Sequence, residues 1–455
     1  MNWQPTKLSE FLTERDGRIK YESANQLGLQ RIKKIDFSGN IHLDAETDTK
    51  TDMIRVKSGD LVISGINAAK GAIAVHAEDD DVLATIHYSA YEFNADRISV
   101  DFLKWFFKSP EFSDLLREQI PGGIKTELKP KHILPLQVKL PKLSEQITVA
   151  ERLNRFRLEQ LKLEHEITHQ QSLLAKLKQA ILQQAIQGKL TADWRAAHPD
   201  VEPASQLLHR IQAEKACLIA AKKLRPEKPL PKITPAEIPF EIPQGWDWCR
   251  LGDINMKFLG GEAYQSGSIL PTGTNQVVRI GNIKPDTLEL SKRPAFISDS
   301  LAEETSASRL QPGDILVTMT GTYQKKDYCF TVMLTEEHFG DRRLYQNQRV
   351  GCFRLHPEIH KPFLIRALKL APLLDPVFES STGAANQANI SKGALLNILI
   401  PLPPLAEQAA IVERVEALMT TCRALEAEIE HARTHAAHLL QAVLKEAFAP
   451  STNDK

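Results

Sequence analysis

The sequence contains few cysteines, and they are not arranged in pairs. The five are scattered, odd in number and never form a Cys-x-x-Cys motif; they are Cys217, Cys249, Cys329, Cys352 and Cys422. Neither a disulfide framework nor a zinc knuckle is indicated. This cysteine usage favours a reducing, cytosolic setting.

Long apolar runs are also absent. The N-terminus carries no apolar signal core, and no stretch of the sequence approaches the roughly 20 apolar residues that a membrane-spanning helix needs. We therefore expect a cytoplasmic protein that does not associate with membranes.

The chain has no excess of either charge, because 57 basic residues balance 57 acidic ones. This balance argues against a protein that coats nucleic acid by itself, since such domains are strongly basic. It still permits a local basic face, or a DNA clamp shared with a partner protein. The 455 residues are enough for about three domains of roughly 150 residues each.

Most motifs of catalysis are missing. The sequence lacks the Asn-Pro-Pro-Tyr or Asp-Pro-Pro-Phe motif that holds a flipped adenine, and it lacks a phosphate-binding loop ending in Gly-Lys-Ser/Thr. Glu127-Leu128-Lys129 has the Glu-x-Lys pattern of many nucleases, but this tripeptide is common by chance.

One motif imitates a metalloprotease. Residues 165–169 read His-Glu-Ile-Thr-His, and two histidines four residues apart on a helix could bind zinc. Ile167 lies on the apolar seam described below, so both histidines are expected to face solvent. His431, His435 and His438 share one face of a second helix, and we expect them to be solvated or to touch a partner.

The chain contains a clear internal repeat. The stretch 140–146 reads Leu-Pro-Lys-Leu-Ser-Glu-Gln, and 402–408 reads Leu-Pro-Pro-Leu-Ala-Glu-Gln, 262 residues later. Each copy begins a long predicted helix, and the two helices keep this offset without a gap. An internal repeat in the sequence indicates a repeated structural unit. We therefore predict that the chain consists of two copies of one unit.

Each predicted helix has a seam of apolar residues spaced by three and four, as in coiled coils. The first seam consists of Leu153, Phe156, Leu163, Ile167, Leu174, Leu177 and Ile181, and the second of Val415, Leu418, Leu425, Ile429, Ala436, Leu439 and Val443. Residues 142–190 carry 8 basic and 5 acidic side chains, whereas residues 404–452 carry 4 and 7. Opposite net charges favour pairing of one helix with the other, although charges on a solvated face would look the same.

A larger mixed segment precedes each helix. In both segments short strand-like runs separated by turns are followed by amphipathic helix, and Ser58-Gly59-Asp60-Leu61 is echoed by Pro312-Gly313-Asp314-Ile315. The predicted boundaries are 1–141 and 241–402 for two α/β domains, 142–190 and 403–449 for two long helices, 191–240 for a connector with a proline-rich part, and 450–455 for a tail. The fold class is α+β, with the helices packed as an antiparallel, pseudo-two-fold coiled coil. Two domains held that far apart suit a long ligand such as duplex DNA.

These features together resemble the specificity subunit of type I restriction-modification systems. The resemblance rests on the two Leu-Pro-x-Leu-x-Glu-Gln helix starts, on Gln187-Gly188-Lys189-Leu190-Thr191-Ala192-Asp193-Trp194-Arg195, on Pro203-Ala204-Ser205-Gln206-Leu207-Leu208 and on Ile242-Pro243-x-Gly245-Trp246-x-Trp248. It covers nearly the whole chain in the order of that family. One departure is the N-terminus, where only Trp3 and residues 8–11 echo the stretch from Trp248 to Ile254.

The resemblance implies a non-catalytic DNA-binding subunit with two target-recognition domains. Each domain would read one half of a bipartite sequence in double-stranded DNA, and the paired helices would set the spacer. Two methyltransferase subunits would dock on the chain, and restriction subunits would join through them. S-adenosylmethionine, ATP and Mg²⁺ are expected on those partners, with no cofactor or metal on this chain.

Candidate DNA contacts follow from residue type and loop position only. Arginine reads guanine, asparagine and glutamine read adenine, and lysine mostly holds phosphate. The first domain offers Arg31, Lys33, Lys34, Lys70 and Lys125, and the second offers Arg279, Lys325, Lys326, Arg342, Arg343, Asn386, Gln387 and Asn389. An ordinary solvated or structural role is at least as common for each of them. Gly122-Gly123 and Gly383 are expected in turns.

Two other hypotheses remain at this point. The chain could be a coiled-coil scaffold whose end domains bind proteins, which predicts no DNA sequence preference. It could also be a nuclease or methyltransferase with an unfamiliar site, which predicts activity of the purified protein alone.

Overall fold

The computed structural model describes residues 3–15, 17–44, 50–119, 127–285, 287–383 and 386–448. The chain forms two compact units. The first comprises the chain up to Gln171 together with the residues from Ala427 onwards, and the second is Ser172–Glu426. Each unit contains one mixed domain and part of both long helices.

The first domain is built from short strands followed by helices. Its strands are β1 (Gln4–Lys7), β2 (Leu12–Glu14), β3 (Arg18–Ile19), β4 (Arg31–Ile35), β5 (Ile41–Asp44), β6 (Met53–Val56), β7 (Leu61–Ser64), β8 (Ile73–Val75), β9 (Val82–Thr85), β10 (Tyr88–Phe93) and β11 (Gln137–Leu140). Its helices are α1 (Tyr21–Gln26), α2 (Val100–Lys108), α3 (Pro110–Gln119) and α4 (Pro130–Ile133), followed by the first long helix, α5 (Leu143–Ile186).

Two sheets and two helices form the core of this domain. The sheets have the strand orders β2-β10-β7-β8 and β3-β6-β9-β4-β5. The first and last strands of the domain, β1 and β11, form a separate two-stranded sheet. The chain from Val82 to Phe93 forms two strands separated by a turn. Residues 100–119 form two amphipathic helices, because Pro110 cannot continue α2 and instead begins α3.

After α5 the chain forms α6 (Ala192–Ala197), α7 (Ala204–Ala220) and a proline-rich segment. The second domain has strands β12 (Asp247–Arg250), β13 (Asn255–Gly260), β14 (Asn275–Val278), β15 (Phe296–Ile297), β16 (Ile315–Thr318), β17 (Thr320–Thr322), β18 (Thr331–Met333), β19 (Arg343–Gln346), β20 (Val350–Leu355), β21 (Gln387–Asn389) and β22 (Leu399–Leu402). Its helices are α8 (Leu251–Ile254), α9 (Asp299–Glu304), α10 (Glu336–Phe339), α11 (Lys361–Ala367), α12 (Ala371–Glu379) and α13 (Lys392–Leu396), followed by the second long helix, α14 (Leu405–Phe448).

The two domains share one sheet topology. The order β13-β20-β16-β18 in the second domain matches β2-β10-β7-β8 in the first, and the pairs β12-β22 and β1-β11 also correspond. In each domain the Gly-Asp turn before the central strand buries its aspartate against an arginine: Asp60 binds Arg15 and Asp314 binds Arg354. The two arginines do not occupy corresponding positions in the repeat. The aspartate–arginine contact is therefore present in both domains, although the arginine comes from a different part of each.

Strand register corrects the expected alignment of the domain openings. Gln4 pairs with Leu140, and Asp247 pairs with Leu402, so Trp3 corresponds to Trp246. The sequence motifs alone predict that Trp3 corresponds to Trp248. Both corresponding tryptophans therefore directly precede the first strand of their domain.

The two long helices have 44 residues each, which corresponds to about 66 Å at 1.5 Å per residue. Between residues 153 and 181 of α5, the fully buried side chains are seven residues apart: Leu153, Gln160, Ile167, Leu174 and Ile181; Phe156 of the expected seam is partly buried. In α14 Val415, Cys422 and Ala436 are buried, and Ile429 and Val443 are partly buried. Nearer the helix ends further residues are buried, among them Ala150, Ile411, Leu444 and Phe448. Leu163 and Leu177, expected on the seam, are 41% and 44% exposed, and Leu418, Leu425 and Leu439 are exposed as well.

The helices pack antiparallel within each unit, which confirms the expected pairing. In the first unit Gln160 Nε2 donates to the carbonyl oxygen of Ala436 at 3.3 Å, and Arg152 lies 3.5 Å from Glu446. In the second unit Lys178 forms a 2.7 Å ion pair with Glu426. Both ion pairs join a base of α5 to an acid of α14, as the opposite net charges suggested.

The repeated glutamine at each helix start holds the helix to its own domain. Gln146 accepts a hydrogen bond from Ser99 N at 2.9 Å and donates to the carbonyl oxygen of Pro141. Gln408 accepts from His360 N at 3.1 Å and donates to the carbonyl oxygen of Pro403. Both side chains are buried, so the repeat Glu-Gln is structural at its second position.

Among the described helices, none combines the length and the apolar character that crossing a bilayer requires.

Candidate nucleic-acid interface

Three segments of the first domain meet at the end of strand β7. Gly65 N donates to the carbonyl oxygen of His87 at 2.8 Å, and Leu128 N donates to that of Gly65 at 3.0 Å. The loop after β7 is thereby joined to the turn between β9 and β10 and to the chain before α4. We call residues 65–71, 86–87 and 127–128 the first loop edge.

The second domain repeats this junction after strand β16. Met319 N donates to the carbonyl oxygen of Arg349 at 3.0 Å, and Ile390 N donates to that of Met319 at 2.8 Å. His87 and Arg349, and likewise Leu128 and Ile390, are 262 residues apart, the same offset as the long helices. We call residues 319–329, 347–349 and 386–390 the second loop edge.

Six of the thirteen sequence-derived candidates lie on these edges. They are Lys70 on the first edge and Lys325, Lys326, Asn386, Gln387 and Asn389 on the second. All are exposed except Asn389, which is half-buried. Lys125, with Gly122 and Gly123, lies outside the described residues.

The remaining candidates lie elsewhere, and several have intramolecular partners. Arg31 is 3.6 Å from Asp44, Arg342 donates to Gln276 Oε1 at 2.8 Å, and Arg279 donates to the carbonyl oxygen of Arg293. Arg343 is 4.0 Å from Asp299, whereas Lys33 and Lys34 are exposed on β4. The structure thus does not bring these six into the loop edges, and a DNA base would compete with existing partners at the arginines.

The loop of the second edge is held in shape by its own hydrogen bonds. Asp327 Oδ1 accepts from Thr322 N at 2.6 Å, which is the main reason that the pKa of this carboxyl is lowered. Tyr323 Oη donates to the carbonyl oxygen of Ser381 at 3.1 Å, and Tyr323 N donates to that of Asn386. Gln324 and Lys325 are left exposed at the tip of a loop whose shape is already set.

Backbone conformation at this loop is unusual. Lys326 and Cys329 have φ values of 46° and 64°, a region that residues other than glycine rarely adopt. The ammonium group of Lys326 lies 5.1 Å from the ring centroid of Phe378 and 3.5 Å from Asp375. Such strain concentrates at functional sites, which supports a binding role for this loop.

The His-Glu-x-x-His motif does not form a site in the structure. His165, Glu166 and His169 are exposed, while Ile167 is buried against the other helix. Within the part of the chain that the structure describes, no group of three His, Cys, Asp or Glu side chains could hold a metal ion. Both histidines face solvent, as the position of Ile167 on the seam predicts.

Comparison with known proteins shows similarity to specificity subunits of type I restriction enzymes. The profile described as "Type I restriction modification DNA specificity domain" matches residues 243–432. The Type I restriction enzyme EcoAI specificity subunit of Escherichia coli is 27% identical, over 90% of this chain and 75% of its own length. The EcoEI specificity subunit of Escherichia coli is 30% identical, over 59% of this chain and 44% of its own length.

Solved structures share the fold across nearly the whole chain. The HsdS subunit from Thermoanaerobacter tengcongensis aligns with a TM-score of 0.53 at 16% identity, covering 98% of this chain and 96% of its own. A chain from a structure described as the basis of "complex assembly and conformational transition of the type I R-M system" aligns with a TM-score of 0.60 at 17% identity, covering 98% and 97%.

The chain is therefore similar to type I restriction-modification specificity subunits. The profile covers the second domain and the first part of α14, and the EcoAI relative extends the match over most of the chain. The resemblance drawn from the sequence is therefore confirmed.

Two exposed edge residues are not among the candidates predicted from the sequence. His87 and Arg349 occupy corresponding turns, and both are exposed beside the loops just described. His87 Nδ1 lies 2.7 Å from Glu127 Oε1, so the first edge is also braced internally. The 262-residue offset of the long helices also relates His87 to Arg349, so the sequence repeat carries a signal for this pair.

Proposed function

We propose that each domain of this specificity subunit reads one half of a two-part duplex DNA sequence with its loop edge. The observation that carries the proposal is the correspondence of the two edges. Both are built by a corresponding pair of backbone hydrogen bonds, and two of the three residues that form each pair keep the 262-residue offset. Two like edges in one chain suit a ligand with two separate half-sites.

The chemistry of the exposed edge residues supports DNA as the ligand. Gln387 and Asn389 carry amides that can pair with adenine, Arg349 can bind guanine, and Lys70 and Lys325 can hold phosphate. These side chains sit on loops supported by strands, which reduces the conformational entropy lost on binding. The neutral charge of the whole chain is compatible with this function because contacts are concentrated at two edges.

We further propose that the long helices set the distance between the half-sites and present the docking surface for partner subunits. Exposed leucines along both helices, such as Leu158, Leu173 and Leu439, offer apolar area for that docking. Two methyltransferase subunits and, through them, restriction subunits would perform the chemistry. S-adenosylmethionine, ATP and Mg²⁺ would be bound by those partners.

Co-expression with the modification subunit of the same system, followed by mapping of methylated adenines in the host DNA, tests the proposal. The expected result is one split motif with a gap of fixed length. Methylation without a common motif would contradict DNA reading by this chain, and methyl transfer or cleavage by the purified chain alone would contradict a non-catalytic role.

Loop substitutions test which edge reads which half. Exchanging Gln387 for Ala should relax recognition at a position in one half-motif and leave the other half and the gap unchanged. Glu303→Ala, at an exposed position on α9 outside both edges, is the matched control and should leave the motif intact. A Gln387→Ala motif identical to the original would remove this residue from the reading surface.

A further inference from the structure

The turn between β4 and β5 in the first domain presents an aromatic side chain to solvent. Phe37 is 51% exposed at its tip. The preceding Asp36 stiffens the turn, because its carboxylate accepts hydrogen bonds from Ser38 N and Asn40 N, both at 2.9 Å, and from Asn40 Nδ2 at 3.0 Å. Phe37 is therefore carried by a fixed turn.

Two lysines of helix α2 fasten this turn to the domain. Lys108 Nζ donates to the carbonyl oxygen of Phe37 at 2.6 Å, and Lys104 Nζ donates to that of Ser38 at 3.2 Å. Gly39 has a φ of +88°, and a Cβ there would lie 2.8 Å from the carbonyl oxygen of Ile73. The turn thus sits tightly against the start of β8, in a position that only glycine allows.

The turn also touches the first loop edge. The ammonium group of Lys70 lies 5.5 Å from the centroid of the Phe37 ring, within the range of a cation–π contact. Lys33 and Lys34 are exposed on the strand that leads into the turn. An exposed ring with lysines around it fits nucleic acid, whose bases offer flat apolar faces and whose phosphates offer negative charge.

We propose that Phe37 inserts at a base step of the half-site read by the first domain, with Lys70 on the adjacent phosphate. This inference rests on the proposed function. It extends that function to a phenylalanine, whose side chain cannot read a base by hydrogen bonding. Apolar side chains inserted in this way unstack a base step, so they select steps that deform easily. Because the turn is fixed before binding, no ordering of the turn opposes insertion.

The second domain lacks this device in its described residues. After β14, which pairs in parallel with β19 as β4 pairs with β9, the chain makes a short helical turn and Ile283 is 1% exposed. The effect of Phe37 should therefore be confined to one half-site, and the other half-site serves as an internal control.

The test uses the specificity subunit in complex with its modification subunit, with 2-aminopurine placed in turn at steps of each half of the mapped motif. With the original protein, fluorescence should rise at a step in the half read by the first domain and stay constant in the other half. Phe37→Ala should abolish the rise and weaken binding by roughly 5- to 150-fold, the range measured for loss of an aromatic base contact. Phe37→Trp should retain both.

Leu27→Ala is the matched control, because Leu27 is an exposed apolar residue of the same domain outside the turn and the edge. It should leave fluorescence and affinity unchanged. A Phe37→Ala complex that keeps both would overturn the inference, and so would a loss of complex assembly without DNA, which would make Phe37 a protein contact. If the original complex shows no sequence preference at all, the proposed function itself fails, and the two failures are distinguishable.

Discussion

Glu407, at the start of α14, is a fully buried carboxylate with three side-chain donors around it. Thr191 Oγ1 and Arg195 Nη1 donate to its Oε1 at 2.6 and 2.5 Å, and Trp246 Nε1 donates to its Oε2 at 2.8 Å. This one residue joins the helix start to the junction after α5 and to the opening of the second domain. Three sequence motifs that looked separate are therefore parts of one contact.

Exchanging Glu407 for Gln should destabilise the second unit by about 1–3 kcal/mol, because buried donors lose a charged acceptor. Hydrogen exchange at the start of α14 would measure the effect locally, which is preferable since a chain of several domains need not unfold in one step. Glu145→Gln is the control. Glu145 is the repeat counterpart, is partly exposed and has no side-chain partner among the described residues, so a change within about 0.5 kcal/mol is expected. Equal effects of both substitutions would contradict the prediction that Glu407 stabilises the fold more than Glu145 does.

Thiol reactivity gives a second prediction at this scale. Cys217 is exposed, whereas Cys249, Cys329, Cys352 and Cys422 are buried. Burial raises the pKa of the Cys249 and Cys352 thiols and raises that of Cys329 to about 12, which leaves little thiolate at neutral pH.

A thiol reagent should therefore modify one cysteine per native chain and five after unfolding. The reactive site should disappear in Cys217→Ser. Rapid modification of two or more thiols in the native chain would show that the buried set is more accessible than the structure indicates.

At the scale of elements, the residues buried along the two long helices differ in part from the expected seam. Ile167 is 5% exposed, but Leu163, four residues before it, faces solvent. Ile167→Ala should cost about 2–5 kcal/mol, since it leaves a cavity between the helices. Leu163→Ala should cost under about 1 kcal/mol. Hydrogen exchange in α5 of both variants checks this, and a larger loss from Leu163→Ala would restore the expected seam.

The spacing of apolar residues could not show which of them are buried between the helices, because leucines lie on both sides of the seam. The buried glutamine at position 160 shows the physical reason. Its amide is satisfied by the carbonyl oxygen of Ala436, so a polar residue is accepted where the partner helix supplies an acceptor, and leucines are left outside. The antiparallel pairing of the two helices was predictable. The repeat and the opposite net charges of the helices are read directly from the sequence, without knowing which side chains meet.

At the scale of the whole molecule, the proposed spacer function predicts a change in the gap between half-motifs. Inserting seven residues in each long helix, at matched positions such as after Gln170 and after Ala432, keeps the heptad seam in register. Mapping of methylated adenines should then give the same two half-motifs with a different gap. The matched control replaces seven exposed residues without changing length and should preserve the gap. An unchanged gap in the longer protein would refute the spacer.

The candidate site was predicted in part. Lysines, asparagines and glutamines near residues 325 and 387 were identified by type and loop position, and the structure brings them together. The arginines at 31, 279, 342 and 343 were selected by the same rule and lie elsewhere. Residue type does not reveal which loops meet. Leu128 N donates to the carbonyl oxygen of Gly65, and Ile390 N donates to that of Met319, so each bond joins segments more than sixty residues apart in sequence.

The sequence by itself determined the duplication, the two long helices, the mixed character of both domains and the resemblance to type I specificity subunits, because these depend on local periodicity and on motifs within short stretches. Only the tertiary structure decided the register of Trp3 with Trp246, the burial of Gln160 in place of leucine, the partners of Glu407, and the meeting of loops at each edge. These depend on contacts between distant segments, where strand register and packing decide which side chains meet. Local sequence pattern carries no information on that choice.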